Sequence, residues 1–437
     1  MLISELLKNQ KKYHIFCYGA GVGYSRVVKI LENNMEICAV IDREYSKWDR
    51  IYGEHTVCKG PEELKKHDNA IVIVTVDTKD IYDEIVNDIK TFSVQGVFHV
   101  GEVIGEIRKL YTKSINFSAV EKNSSNIIDV QKRSEISNKD ITFVVTGKMV
   151  YDSAIPSDRS IQSIKQYFPG SKIILSTWLS EDTEPVRTIC DDIVLTDEPE
   201  AKFNIFLEGH IPQKINNINK QQIVVKNGLE KVKTKYVVRF RTDFELIDSR
   251  FILFYEFWNS SYSKRDKTKT LFGDRILAVN TFMHNPDVFD NAYSYMLSDC
   301  FLFGTTDDLK MLWDGYQAPD EVMNCFSGGF GAGMDNPAEF NHRYNAEQIF
   351  LLNAIRKSKL GVHIPSHYAD NSDEEILSDY EQIIASNIII GDNTDLGLHS
   401  RFDYLFNYIF YTHRDDVYFY LKYLDDQNAE CRAFLLD

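Results

Sequence analysis

The chain lacks the short signatures that would fix its chemistry outright. Its seven cysteines (Cys17, Cys38, Cys58, Cys190, Cys300, Cys325 and Cys431) are odd in number and scattered, without CxxC or Cys/His spacing. Neither a disulfide framework nor a zinc site is therefore expected, and the thiols read as reduced core residues. No apolar run approaches the ~18 to 20 residues of a membrane-spanning helix. Met1 to Tyr13, interrupted by Glu5, Lys8, Lys11 and Lys12, fits neither a secretory signal nor a transit peptide. A Ser-His-Asp nucleophile pattern, a G-x-x-x-x-G-K-[ST] phosphate loop and solenoid-type repeats are also missing. Positive charge is scarce: 49 Lys and Arg face 65 Asp and Glu, for a net charge of −16. That balance opposes non-specific nucleic-acid binding, which comes mainly from neutralising phosphates. The expected setting is cytoplasmic, at the inner face of the membrane at most.

What is present is ordinary globular material. Apolar residues make up 43% and charged residues 26% of 437 residues, enough for about three units at roughly 150 residues each. From 14 to about 112, short apolar runs (His14–Tyr18, Ile37–Ile41, Ile71–Val76, Val97–Val100) alternate with helical patterns. This predicts a small Rossmann-like βαβ domain over 1–112. Residues 113–140 are polar and read as a linker. A second α/β domain, 141–437, opens with "ITFVVTG", "SIQSIKQYF" and "KIILSTW", and continues through a helix near Asn217–Lys231 and a strand ending near Asp243. Its last part, 401–437, is rich in Phe and Tyr and reads as paired helices, packed on the domain or into a homodimer rather than laid on a membrane.

Three patterns carry chemistry. "YGAGVGYS" sets Gly19, Gly21 and Gly23 between a strand and a helix, with Asp42 ending the next strand, a spacing that suits a phosphate or ribose. Tyr24 replaces the final small residue of the dinucleotide fingerprint, and a ligand-free tight turn competes equally. In "KYVVRFRTDFEL", two-residue periodicity puts Arg239, Arg241, Asp243 and Glu245 on one face. Paired carboxylates at a strand end can hold Mg²⁺ or Mn²⁺ against a diphosphate, or can simply form an ion-pair ladder. In "RYNAEQIF", Asn345 caps a helix whose first turn holds Glu347, where the dipole favours a carboxylate fit to act as general base; Asp299 is the rival. His363 and His367 follow a late helix, and Trp178 and Trp313 could stack on a sugar, although both types are more often structural.

Two resemblances follow. "GAGVG", "AVIDREYSKWDRIYGEHTV" and "IVIVTVDTKDI" resemble the Rossmann-like domain of bacillosamine- and sialic-acid-type sugar acyltransferases, which implies a nucleotide-sugar or regulatory pocket. From Ile141 to Ile364, the segments already quoted, with "FGDRILAVNTFM", "SDCFLFGTTDDLKMLW" and "YNAEQIFLLNAI", resemble the WavE family of bacterial surface-polysaccharide synthesis. That likeness implies a GT-A-like glycosyltransferase acting on a glycan or lipid-linked saccharide acceptor. Its nucleotide-sugar donor would be held by Thr146, Gly147, Asn217, Lys220, Gln221, Arg241 and Asp243, and its metal by Asp243, Glu245 and His367. Lys220 stands where arginine is expected, and the carboxylates form Asp-x-Glu instead of Asp-x-Asp. The alternatives are a nicotinamide-dependent oxidoreductase built on the glycine turn and a catalytically silent nucleotide-sugar-binding protein.

Overall fold

The computed structural model describes residues 3–20, 24, 27, 31–32, 34–47, 58–76, 79–111, 134–199, 202–203, 215–261, 263–283, 293–315, 344, 346–366, 370 and 374–401. Helix α1 (Ile3–Lys8) leads into β1 (His14–Tyr18), β2 (Ile37–Ile41), β3 (Cys58–Lys59), β4 (Ala70–Val74), α2 (Lys79–Ile89), β5 (Gly96–His99) and α3 (Val100–Tyr111). The strands are all parallel, in the order β3-β2-β1-β4-β5. Strand β4, AIVIV, is buried along its whole length, as a central strand covered on both faces must be. Alternate residues feed two separate cores, one with Ile15, Cys17, Ile71 and Ile73, the other with Phe16, Tyr18, Val72 and Val74.

The second unit begins with β6 (Ile141–Thr146), α4 (Ser157–Tyr167), β7 (Lys172–Trp178), β8 (Asp192–Thr196), and the short pair β9 (Lys202–Phe203) and β10 (Ile215–Asn216). It continues with α5 (Ile218–Glu230), β11 (Tyr236–Arg241), β12 (Phe244–Leu246), α6 (Arg250–Ser261), β13 (Ile276–Val279), β14 (Phe301–Thr305) and α7 (Thr306–Trp313). Last come α8 (Ala346–Ser358), α9 (Glu374–Asn387), β15 (Ile388–Gly391), α10 (Asn393–Leu396) and β16 (Leu398–Ser400). Seven strands form one sheet in the order β15-β13-β14-β11-β6-β7-β8, in which β14 runs antiparallel to both neighbours and the remaining pairs are parallel. Residues of α5, α7, α8 and α9 pack on one face and residues of α4 and α6 on the other. The protein is thus α/β throughout, a small parallel-sheet unit followed by a larger mixed-sheet unit.

One expected element is cut short. The strand predicted to run to Asp243 ends at Arg241, because Thr242 turns the chain: its amide donates to the Thr146 carbonyl (3.1 Å) and its hydroxyl to the Lys148 carbonyl (2.9 Å). Residues 244–246 then leave the large sheet and pair with β16 as a separate antiparallel ribbon. The expected linker up to 133, the loop 325–337, and the C-terminal segment beyond 401 lie outside the described residues.

Both sheets reverse their strand order beside their first strand. In the first, β1 lies between β2 and β4; in the second, β6 lies between β7 and β11. Open α/β sheets bind ligands in the crevice outside the carboxyl ends of the strands at such a reversal.

Candidate active site

At the reversal in the second sheet, Thr146 and Arg241 are register partners at the carboxyl ends of β6 and β11. A cleft of about 670 Å³ opens there. It is lined by all seven residues expected to hold a donor: Thr146, Gly147, Asn217, Lys220, Gln221, Arg241 and Asp243. Gly147 has φ +136°, and a Cβ at this position would lie 2.5 Å from the Thr242 hydroxyl oxygen, so only glycine fits the turn. The Thr177 hydroxyl fixes the same turn from the other side by donating to the Gly147 carbonyl (2.7 Å). Helix α5 starts at the cleft, with Asn217 as its N-cap residue and Lys220 and Gln221 in its first turn. Its free amides and dipole favour an anion there. Trp178 also lines the cleft while packing in the core.

The lining is cationic in a chain that is otherwise acidic. Among the described lining residues, Lys148, Lys220, Arg239, Arg241 and Arg401 face only Glu181, Glu198 and Asp243. Each carboxylate is already engaged: Glu181 accepts from the Met149 amide (2.7 Å), Glu198 pairs with Lys220 (2.6 Å), and Asp243 is gripped by two arginines. Arg241 Nε and Nη2 donate to the two Asp243 oxygens at 2.8 and 2.7 Å, and Arg401 Nε stands 2.8 Å from Oδ2. Burial works to raise the Asp243 pKa, but the paired Arg241 and the charges of Arg401 and Arg239 outweigh it and hold the carboxyl below its usual range. Arg239 is 3% exposed; it donates from Nη1 to the Cys300 carbonyl (2.8 Å) and from Nη2 to Asp299 (3.2 Å), and its guanidinium lies over the Trp313 ring. Arg239 Nε and Gln221 Oε1, both from cleft-lining residues, are buried and find no hydrogen-bond partner among the described residues. Such orphaned groups are costly to keep unless a ligand or water meets them.

The expected metal ligands do not converge. A hard divalent cation needs carboxylate oxygens free to coordinate. Asp243 is bonded to two guanidiniums, whereas Glu245, on the separate ribbon, pairs with Arg159 (2.9 Å) and lies 3.6 Å from His399, outside the cleft lining. The two-residue alternation failed here because the chain turns at Thr242 and Asp243, so that Asp243 lies in the turn and Glu245 on the separate strand that follows it. His367 lies outside the described residues. His363 is tied to Asp379 (2.9 Å) and Glu375 (2.8 Å), beside the Lys269–Asp379 pair, and so acts as a structural link. Among the described residues, no group of three His, Cys, Asp or Glu side chains is placed to hold a metal. The described residues do not fit the expected Mg²⁺ or Mn²⁺.

The two candidate bases behave differently. Asp299 is 2% exposed and paired with Arg239, so it stands behind the cleft wall and cannot meet an acceptor hydroxyl. Glu347 lies in the first turn of α8, as expected; the residue as a whole is half-buried, and its carboxyl group lies inside. Its pKa does not follow the dipole. Burial first, and the Asp299 charge second, raise it to about 7 against a weaker pull from Arg241. A carboxyl poised near neutrality suits proton abstraction better than a fully ionised one. Asn345, its expected cap, lies outside the described residues.

In the first sheet, Gly19 follows β1 with φ +108°. Asp42 is bonded through both oxygens to main-chain amides, Oδ2 to Ala20 (2.9 Å) and Oδ1 to Glu44 (2.8 Å). Thr75 donates to the carbonyls of Gly19 (2.7 Å) and Tyr18 (3.1 Å). Gly21 and Gly23 lie outside the described residues. Arg401, like Lys148, Glu181 and Glu198, is a cleft residue that sequence reasoning missed. It was absorbed into an aromatic C-terminal run, and only the β12–β16 pairing carries it to Asp243.

Fold and cleft together define an α/β protein with an anion-receptive crevice at the switch point of its larger sheet. A family model described as WavE lipopolysaccharide synthesis matches residues 141–427, and the chain belongs to that family. The match starts at residue 141, so the likeness of the first unit to sugar acyltransferases rests on its sequence segments alone. No curated protein matches the chain. Among solved structures, it is similar to the mannosyltransferase PcManGT from Pyrobaculum calidifontis in complex with GDP-Man and Mn2+, at 12% identity and a TM-score of 0.25. That similarity covers 51% of this chain and 60% of the other, and at that level it carries no argument.

Proposed function

We propose that this protein is a glycosyltransferase with a GT-A-like second unit, moving a sugar from a nucleotide-sugar donor onto a growing bacterial surface glycan, lipopolysaccharide or capsule. One observation carries the reading: a cationic cleft with orphaned polar atoms, at the ligand-binding edge of the sheet, in a member of a lipopolysaccharide-synthesis family. The donor's phosphates sit at the start of α5 beside Lys220 and Gln221, with Thr146 and Gly147 as wall. Glu347 takes the proton from the acceptor hydroxyl, on a glycan or a lipid-linked saccharide. Among the described residues no helix is long and apolar enough to cross a membrane, so any contact with a lipid-linked acceptor is peripheral in this reading. The described cysteines are free thiols, which suits a cytoplasmic setting.

Thermal melting in saturating UDP-, CMP- and GDP-sugars and NAD(H) tests the reading, since a ligand that binds only the native state raises the melting temperature. At least one sugar nucleotide should do so and be turned over. A shift with NAD(H) alone would favour an oxidoreductase on the first unit. Donor binding without transfer or hydrolysis would favour a silent binding module.

A further inference from the structure

The Asp243 carboxylate occupies the cleft as a resident counterion. It takes three charge-assisted contacts from Arg241 and Arg401, all between 2.7 and 2.8 Å, in the fork geometry with which guanidiniums also grip phosphate. Arg239, two residues before Arg241 on β11, adds a buried cation whose Nε has no partner among the described residues. The arginines take three of the roughly four lone-pair sites of Asp243 and leave little of it for a metal; for a phosphate to enter, it need only give way to a stronger anion.

We propose that the donor's diphosphate displaces Asp243 from Arg241 and Arg401 and is neutralised by these guanidiniums, without a metal ion. Arg401, delivered by the β12–β16 ribbon, is then a donor-binding residue, and Asp243 is a positioning residue that holds both arginines ready. The inference rests on the glycosyltransferase reading. In transfer, the bond between the anomeric carbon and the diphosphate oxygen breaks and its electron pair stays on that oxygen, where the guanidiniums meet the charge. The acceptor oxygen bonds to the anomeric carbon, and its proton passes to Glu347.

Calorimetric titration of the full chain with inorganic pyrophosphate, in EDTA and in Mn²⁺, tests this. Binding should be equal in the two within about twofold. Arg401→Gln should weaken it roughly 10- to 100-fold, the value of hydrogen bonds to a charged group. Arg401→Lys, which keeps the charge and loses the fork, should fall between, and it serves if the glutamine variant does not fold. Asp243→Asn removes the competing anion and should tighten pyrophosphate binding several-fold, whereas loss of a metal ligand would weaken it. Binding that requires Mn²⁺, or weakening by Asp243→Asn, would overturn the inference. If pyrophosphate fails to bind in either medium while sugar nucleotides still raise the melting temperature, the arginine site is wrong and the transferase reading stands. If pyrophosphate binds as expected and no sugar nucleotide does, the anion site stands and the transferase reading falls.

Discussion

The two sheets use the same device and finish it differently. At the first reversal, Asp42 closes on two amides and Thr75 on two carbonyls. At the second, the protein keeps surplus cations, a buried pair of opposite charges and orphaned polar atoms beside an open cleft. Topology alone therefore does not make a binding site. What separates them is charge: the second crevice gathers cations that an anionic ligand can meet, whereas the carboxylate described at the first is already bonded to main-chain amides.

The largest effect expected at the second reversal is kinetic. Glu347→Gln should lower transfer roughly 10²- to 10⁴-fold with donor affinity little changed, the usual worth of a general base. Wild-type activity should rise with pH around an apparent midpoint of about 7. The stability sign follows from a raised pKa. Glu347 costs the fold nothing below its unfolded value, and the penalty grows as pH climbs toward 7 and stays above it. Denaturant titrations should therefore find Glu347→Gln more stable than wild type at pH 8 but not at pH 4. A pH-independent difference would remove the burial argument.

Next is the buried pair. Arg239→Met leaves Asp299 charged and unpartnered and should cost about 3–5 kcal/mol of stability, measured by chemical unfolding of the larger unit. Removing both charges should restore much of the loss, and a double variant as unstable as the single one would show that packing on Trp313 matters more than charge. Gly147→Ala forces a Cβ against Thr242 at φ +136° and should cost about 1–3 kcal/mol, together with weaker sugar-nucleotide binding. The smallest effect belongs to the first reversal. Asp42→Ala should lower the stability of the N-terminal unit by roughly 1 kcal/mol and leave the donor-induced melting shift unchanged. A lost donor shift in Asp42→Ala would collapse the contrast between the two crevices.

Much of this was legible in the residues. Strands β1 and β2 fall at the expected positions, because an apolar run bounded by turns has few alternatives in a short βαβ unit. The residues that the family resemblance set around a donor do line one cleft, because the end of an opening strand and the start of a later helix are local features. The carboxylate pair misled because Phe240 and Phe244 are both buried and keep the two-residue rhythm going across a turn that only the Thr146 and Lys148 carbonyls dictate. The strand within "FGDRILAVNTFM" begins at Ile276, and β15, a short buried "IIIG" run, carried no alternation to read. Long-range electrostatics were out of reach. Arg239 meets Asp299 across sixty residues, and the Glu347 pKa depends on that same aspartate.

The charge of the whole chain and the charge of its cleft act at different distances. A dianionic ligand approaching a body of net charge −16 is repelled before it can reach the arginines, and that repulsion extends about 30 Å in 0.01 M salt but only about 10 Å in 0.1 M. Contacts inside the cleft are too short to be screened as strongly. Donor capture should therefore speed up as dilute buffer is salted, the reverse of a basic phosphate-binding protein, until the cleft's own attraction begins to fade.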